Sequence, residues 1–129
     1  MRSALEVVKA FYAAATSGDT NDMARQLAAD VRWTEMAGTP YGGTYVGPDA
    51  VFAGVFVPLG EEWDNFAFVP ERFRDAGDSV VVSGWYTAIF RKTHKPLRCR
   101  SLHVWDVKNG QVSAFEQFCD SLVMRQAMQ

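Results

Sequence analysis

Glu35 is the residue best placed by its neighbours to move a proton. In the run Val31-Arg32-Trp33-Thr34-Glu35 the residues alternate and are β-branched or aromatic, which reads as a strand with Val31, Trp33 and Glu35 on one face. A carboxyl on an apolar face is desolvated, and desolvation lifts its pKa toward neutrality, where it can serve as a general base. The structural alternative is an ion pair with Arg98 or Arg100 that ties two elements together.

Other polar residues sit in comparable patterns. His103 lies between Leu102 and Val104 and shares strand parity with Ser101 and Trp105, so it is either a structural histidine or a cavity group. Gln117 alternates with Phe115 and Cys119, and a buried amide there must find hydrogen-bond partners in the protein or in a ligand. Arg91, Lys92, Lys95, Arg98 and Arg100 place five of the 13 cations within ten residues. They form a solvated hairpin, or Arg98 and Arg100, which share the parity of Leu102, reach a pocket mouth and attract an anionic substrate. Two histidines without clustered ligands argue against a metal site, and Cys99 and Cys119 lack the C-x-x-C spacing of zinc or redox motifs.

The elements that must hold these residues follow from periodicity. Leu5, Val8, Phe11, Tyr12 and Ala15 recur at three and four, one face of a helix that ends at Ser17-Gly18-Asp19. Asp19 or Thr20 caps a second helix with Met23, Ala24 and Leu27 inward, closed by Asp30. Thr44-Tyr45-Val46 is a short strand, and Gly47-Pro48-Asp49 starts a helix ending near Pro58-Leu59-Gly60. Long strands are expected over 63–74, 79–91, 97–107 and 111–119, joined by compact turns suited to antiparallel hairpins. Asp120 caps a terminal helix beginning at Ser121. Helices followed by a meander predict an α+β fold with helices laid across one face of a curved, mostly antiparallel sheet.

Composition bounds the partners. A chain of 129 residues with 48% hydrophobic and 22% charged residues suits one compact domain over 1–129. Thirteen cations against 15 anions give a net charge of −2, too weak a field to collect phosphate backbones, so no nucleic acid is expected. No window approaches ~18 consecutive apolar residues, and the first 15 residues carry Glu6 and Lys9, so neither a membrane span nor a signal peptide is expected. Two unpatterned cysteines fit a reduced, cytoplasmic protein. Aromatic residues make up 13%, enough ring area to line a pocket or an interface.

The order of several short motifs resembles the nuclear transport factor 2-like and SnoaL-like superfamily, which includes ketosteroid isomerases. They are Val7-Val8 through Ser17-Gly18-Asp19, Asp30-Val31-Arg32-Trp33, Tyr45-Val46-Gly47-Pro48, and His103-Val104-Trp105 followed by Asn109-Gly110-Gln111-Val112. Trp33-Thr34-Glu35, Tyr41-Gly42-Gly43, Trp63-Asp64-Asn65-Phe66 and Phe118-Cys119-Asp120 resemble its ketosteroid isomerase-related bacterial subgroup. The resemblance implies a cone-shaped cystatin-like fold with the N-terminal helices on the concave face of the sheet. It places the isomerase base on Glu35, and the two oxyanion donors, a Tyr and a protonated Asp, on Phe11 and Leu102. Neither residue can donate. Tyr12 is adjacent but turned about 100° around the helix, so it substitutes for Phe11 only if the helix rotates. The Asp-Arg-Asp arrangement of limonene epoxide hydrolase is also missing, since one Asp falls on Gln117 and the available run is Arg98-Cys99-Arg100. The family puts Phe115, Gln117 and Cys119 on the cavity wall and turns Leu102 inward, which sends His103 to the convex face unless a β-bulge reverses the parity.

The expected function is binding of a small apolar or carbonyl-bearing molecule in an aromatic pocket. Phe11, Tyr12, Trp33, Arg100, Leu102, His103, Phe115, Gln117 and Cys119 are the binding candidates, with Glu35 as base and no cofactor. Isomerisation, dehydration and cyclisation all fit, and a non-catalytic binding protein or a structural dimeric module is the alternative. Aromatics at both strand parities, as in Trp85 and Tyr86, predict a homodimer through the convex sheet face.

Overall fold

A computed structural model describes residues Met1–Gln129. Helix α1, Ala4–Ser17, opens on a capping box in which Ser3 accepts from the Glu6 N–H and Glu6 accepts from the Ser3 N–H. It closes on Gly18 at φ 73°, a left-handed position that suits glycine. Val7, Val8, Phe11 and Ala14 form its buried stripe. Helix α2, Thr20–Arg25, is capped by Asp19.

Strand β1, Leu27–Glu35, begins four residues earlier than the alternation at Val31 implies, and the second helix ends correspondingly early. Leu27 pairs with Val112 of the last strand, and this long-range pairing overrides the helical preference of Ala28 and Ala29. Strand β2, Gly43–Val46, pairs antiparallel with β1.

The next helical stretch comprises α3, Pro48–Val51, a π-helical turn, Phe52–Phe56, and α4, Val57–Glu62. It continues past Pro58 because that proline occupies the first turn of α4, directly after the wider π turn, where its missing N–H costs little. Gly54 lies in the π turn against the Tyr45 ring; a Cβ there would come within 2.2 Å of Tyr45 Cε1. The Tyr45 hydroxyl donates to the Tyr41 carbonyl at 2.8 Å, which tethers the ring to the turn before β2.

Strands β3, Trp63–Asp75, β4, Ser79–Phe90, β5, Pro96–Lys108, and β6, Gln111–Cys119, form the meander, and α5, Ser121–Ala127, follows with Asp120 as its cap. The sheet order is β2-β1-β6-β5-β4-β3, antiparallel except for the β1·β6 pair. This is the expected α+β architecture, with the N-terminal helices on the concave face of a curved sheet.

Two apolar clusters fill it. The larger joins α1, the π turn and the sheet through residues such as Val8, Phe11, Trp33, Val55, Trp105 and Phe115. The smaller gathers Trp63, Phe90, Leu97 and Met124 beneath α5. Each fully buried large side chain contributes about 1.5–3 kcal/mol.

Candidate active site

Strand register sets out the site in rows. Trp33 lies beside Phe115, which lies beside Trp105, which lies beside Val80. Two residues further along β1, Glu35 lies beside Gln117, then His103, then Val82. Both rows face the helices, and above them opens a cavity of about 520 Å³ whose wall is mostly apolar. Phe11 and Tyr12 of α1, Phe56 of the π turn and Phe68 of β3 complete the aromatic wall.

Glu35 is 7% exposed, and its Oε2 accepts the Trp33 Nε1–H at 2.9 Å. Loss of water pushes its pKa up to about 7, against the smaller opposing effect of the Trp33 hydrogen bond. Neither Arg98 nor Arg100 pairs with it, so the carboxyl at neutral pH divides between acid and base forms. Trp33 is itself locked, stacked on Phe115 with ring centroids 3.8 Å apart.

The second polar feature is a chain of hydrogen bonds. Trp105 Nε1–H donates to the Tyr12 hydroxyl at 2.9 Å, the Tyr12 oxygen lies 2.7 Å from His103 Nδ1, and the Tyr86 oxygen lies 2.7 Å from His103 Nε2. Burial drives the His103 pKa down to about 3, so the imidazole is neutral at ordinary pH. Burial also raises both phenols above their ordinary range. Phe68 stacks on the imidazole at 3.9 Å and Phe115 meets it edge-on at 4.8 Å, which fixes the ring plane.

Several candidates lie where the sequence reading did not put them. His103 lines the cavity without any bulge in β5, because Leu97, Cys99, Ser101, His103, Trp105 and Val107 alternate inward without a break. Leu102 and Arg100 therefore face outward. Arg100 is exposed and bridges Glu71 at 2.7 Å, while Arg98 lies 3.7 Å over the Trp85 ring on the same outer face. Charges on the other parity, Arg98, Arg100, Asp106 and Lys108, were the signal that this face is the solvated one. From the basic cluster only Arg91 reaches the cavity rim, held by Asp64 at 2.7 Å and by the Glu61 carbonyl at 2.6 Å.

Gln117 is buried at 2% exposure but stands behind the cavity wall rather than in it. Its Oε1 accepts the Met36 N–H at 3.1 Å and its Nε2 donates to Cys119 Sγ at 3.4 Å, so its amide secures the end of β1. Cys119, also off the cavity, is a free thiol that accepts this amide bond, and Cys99 is free as well. Tyr12 needs no helix rotation: α1 crosses the sheet so that Phe11 and Tyr12 both reach the cavity. Tyr86 and Phe68 line it as well, and Tyr86 was readable from its shared parity with Val80, Val82 and Ala88. No group of three His, Cys, Asp or Glu side chains converges in a way that could hold a metal ion.

The model of the SnoaL-like domain matches residues 8–115. The chain belongs to the SnoaL-like domain family. This SnoaL-like protein is similar to a solved NTF2-like protein of Burkholderia thailandensis E264, at 43% identity and TM-score 0.97, over 100% of this chain and 99% of that one. It also resembles an NTF2-like protein of unknown function from Burkholderia pseudomallei K96243, with 26% identity, TM-score 0.91 and coverage of 100% and 99%. The fold recurs in TerC, co-crystallised with polyporic acid, at 20% identity and TM-score 0.86 over 97% of each chain. No curated protein matches the sequence.

Proposed function

We propose that this SnoaL-like protein transfers a proton within a bound small, largely apolar, carbonyl-bearing molecule, without a cofactor, in an isomerase, dehydratase or cyclase type of reaction. The observation that carries the reading is Glu35: a carboxyl facing an aromatic cavity, unpaired with any cation and lifted to about 7. Such a group removes a proton from the carbon next to a carbonyl and returns it from the same oxygen, to the same carbon or to a conjugated one. Phe11, Trp33 and Phe115 supply the apolar contact, and the co-crystallisation of TerC with polyporic acid supports a small-molecule ligand for this fold.

The test uses 2-acetylnaphthalene, whose methyl group is acidified by its ketone. In deuterium oxide the wild-type protein is expected to speed deuterium entry into that methyl, and Glu35→Gln to lose roughly 10²–10⁴-fold of the acceleration while still binding the ketone. Equal acceleration by both proteins removes Glu35 from the role of base. Binding without acceleration by either favours the non-catalytic reading. Within the same proposal, a second copy covers the outer sheet face, where Val69 and Phe118 remain exposed, and the free thiols of Cys99 and Cys119 fit a reducing, cytoplasmic setting.

A further inference from the structure

Three protons must be placed along the chain Tyr12–His103–Tyr86: one on each phenol and one on the neutral imidazole. Two of them fill the two oxygen–nitrogen contacts, both 2.7 Å, so one phenolic proton is always left over. The tautomer of His103 sets which phenol keeps it. If Nδ1 is protonated, Tyr86 donates to Nε2 and Tyr12 holds the spare proton. If Nε2 is protonated, Tyr12 donates to Nδ1 and Tyr86 holds it.

Trp105 breaks the symmetry. An indole N–H can only donate, and it donates to the Tyr12 oxygen at 2.9 Å. With Nδ1 protonated that oxygen would accept two hydrogen bonds. With Nε2 protonated the bonds run head to tail from Trp105 through Tyr12 and His103 to Tyr86, and each polarises the next. On the far side, the Gln117 amide nitrogen donates to Cys119 Sγ at 3.4 Å and acts on the Tyr86 hydroxyl only as a weaker donor, with no contact as short as that of Trp105 on Tyr12, so the short bond to the Tyr86 oxygen is the one from His103.

We propose that Tyr86 is the hydrogen-bond donor for an acceptor oxygen of the ligand, and that Trp105, Tyr12 and His103 are positioning residues that aim its proton into the cavity. Phe68, stacked at 3.9 Å, prevents the imidazole from turning over and exchanging its two nitrogens. Tyr86 lines the same cavity as Glu35, so a carbonyl oxygen on Tyr86 leaves its neighbouring carbon within the space the carboxyl faces. The assignment rests on the ligand class proposed above, a molecule with a carbonyl, but not on Glu35 acting as a base.

The test has a ligand-free part and a ligand part. Long-range proton–nitrogen correlation spectra of histidine-labelled protein, with His94→Gln used to assign the signals, should show His103 protonated on Nε2 and bare on Nδ1. Trp105→Phe removes the donor-only anchor and should bring the Nδ1-protonated form into the spectrum. Binding is then compared for 2-acetylnaphthalene and 2-ethylnaphthalene, which share a shape but differ in the oxygen. Tyr86→Phe should weaken the ketone roughly ten-fold and leave the hydrocarbon unchanged. A wild-type His103 protonated on Nδ1 overturns the direction of the chain. Equal effects of Tyr86→Phe on the two naphthalenes overturn Tyr86 as the donor. Either failure is distinct from failure of the base, because deuterium entry with Glu35→Gln is read separately.

Discussion

Replacing Glu35 by Gln should make the protein more stable, and only above a definite pH. In the unfolded chain this glutamate titrates near its ordinary value of 4.5; in the fold it is held at about 7. The native state therefore binds more protons than the unfolded state between these values, and stability falls as pH rises across that window. Below about 4.5 the acid is neutral in both states and there is no penalty. Above about 7 it is ionised in both, and the full gap, about 3 kcal/mol, opposes folding. The amide of Glu35→Gln keeps the acceptor for Trp33 Nε1–H without carrying a charge. Urea unfolding of both proteins from pH 4 to 9 isolates the effect, because every other titration cancels in the difference. The variant should match wild type near pH 4 and exceed it by about 3 kcal/mol at pH 8, roughly 10 °C in Tm. Parallel curves for the two proteins across this range would refute the reasoning, since Glu35 would then have the same affinity for protons folded and unfolded.

Two further variants probe the frame around it. Trp33→Phe removes the one donor that favours the carboxylate, so Glu35 should titrate at a higher pH than in wild type, as followed by its carboxyl carbon signal. Gly54→Ala forces a Cβ to within 2.2 Å of the Tyr45 ring, which the Tyr45–Tyr41 hydrogen bond keeps from swinging away. Overpacking of this kind should cost about 1–3 kcal/mol in thermal unfolding.

Much of this arrangement was legible in the sequence. The alternation of Val31, Trp33 and Glu35 against Phe115 and Gln117 is a local pattern, and it correctly places two strands with their apolar residues turned the same way. Caps at Asp19 and Asp120 and the breaks between long strands are equally local. What failed was depth and register across elements. Gln117 has the parity of a cavity residue, yet its amide is drawn back to the Met36 N–H, a partner 81 residues away. Leu102 was turned inward by a one-residue alignment, although the arginines at 98 and 100 on its parity marked that face as solvated. The chain through His103 was invisible because its members come from α1, β4 and β5. Only the folded register brings Tyr12 and Tyr86 to opposite nitrogens of one ring.

The lone parallel pair, β1 with β6, also orders events in time. Its partners, Trp33 with Phe115 and Glu35 with Gln117, are more than 80 residues apart, whereas every long hairpin of the meander closes over a short turn. Loop-closure entropy favours hairpins first and the β1·β6 seam late. Until that seam forms, Glu35 remains hydrated and its charge costs nothing. The pH sensitivity of the native state should therefore reside in the rate at which the protein opens, with refolding largely indifferent to it, a division that a chevron measured at pH 5 and pH 8 would resolve. A ribosome-bound chain lacking its last strand would carry the carboxyl and the aromatic half-wall but no enclosed chamber. The chamber would be enclosed only when the first strand and the last come together in the middle of the sheet.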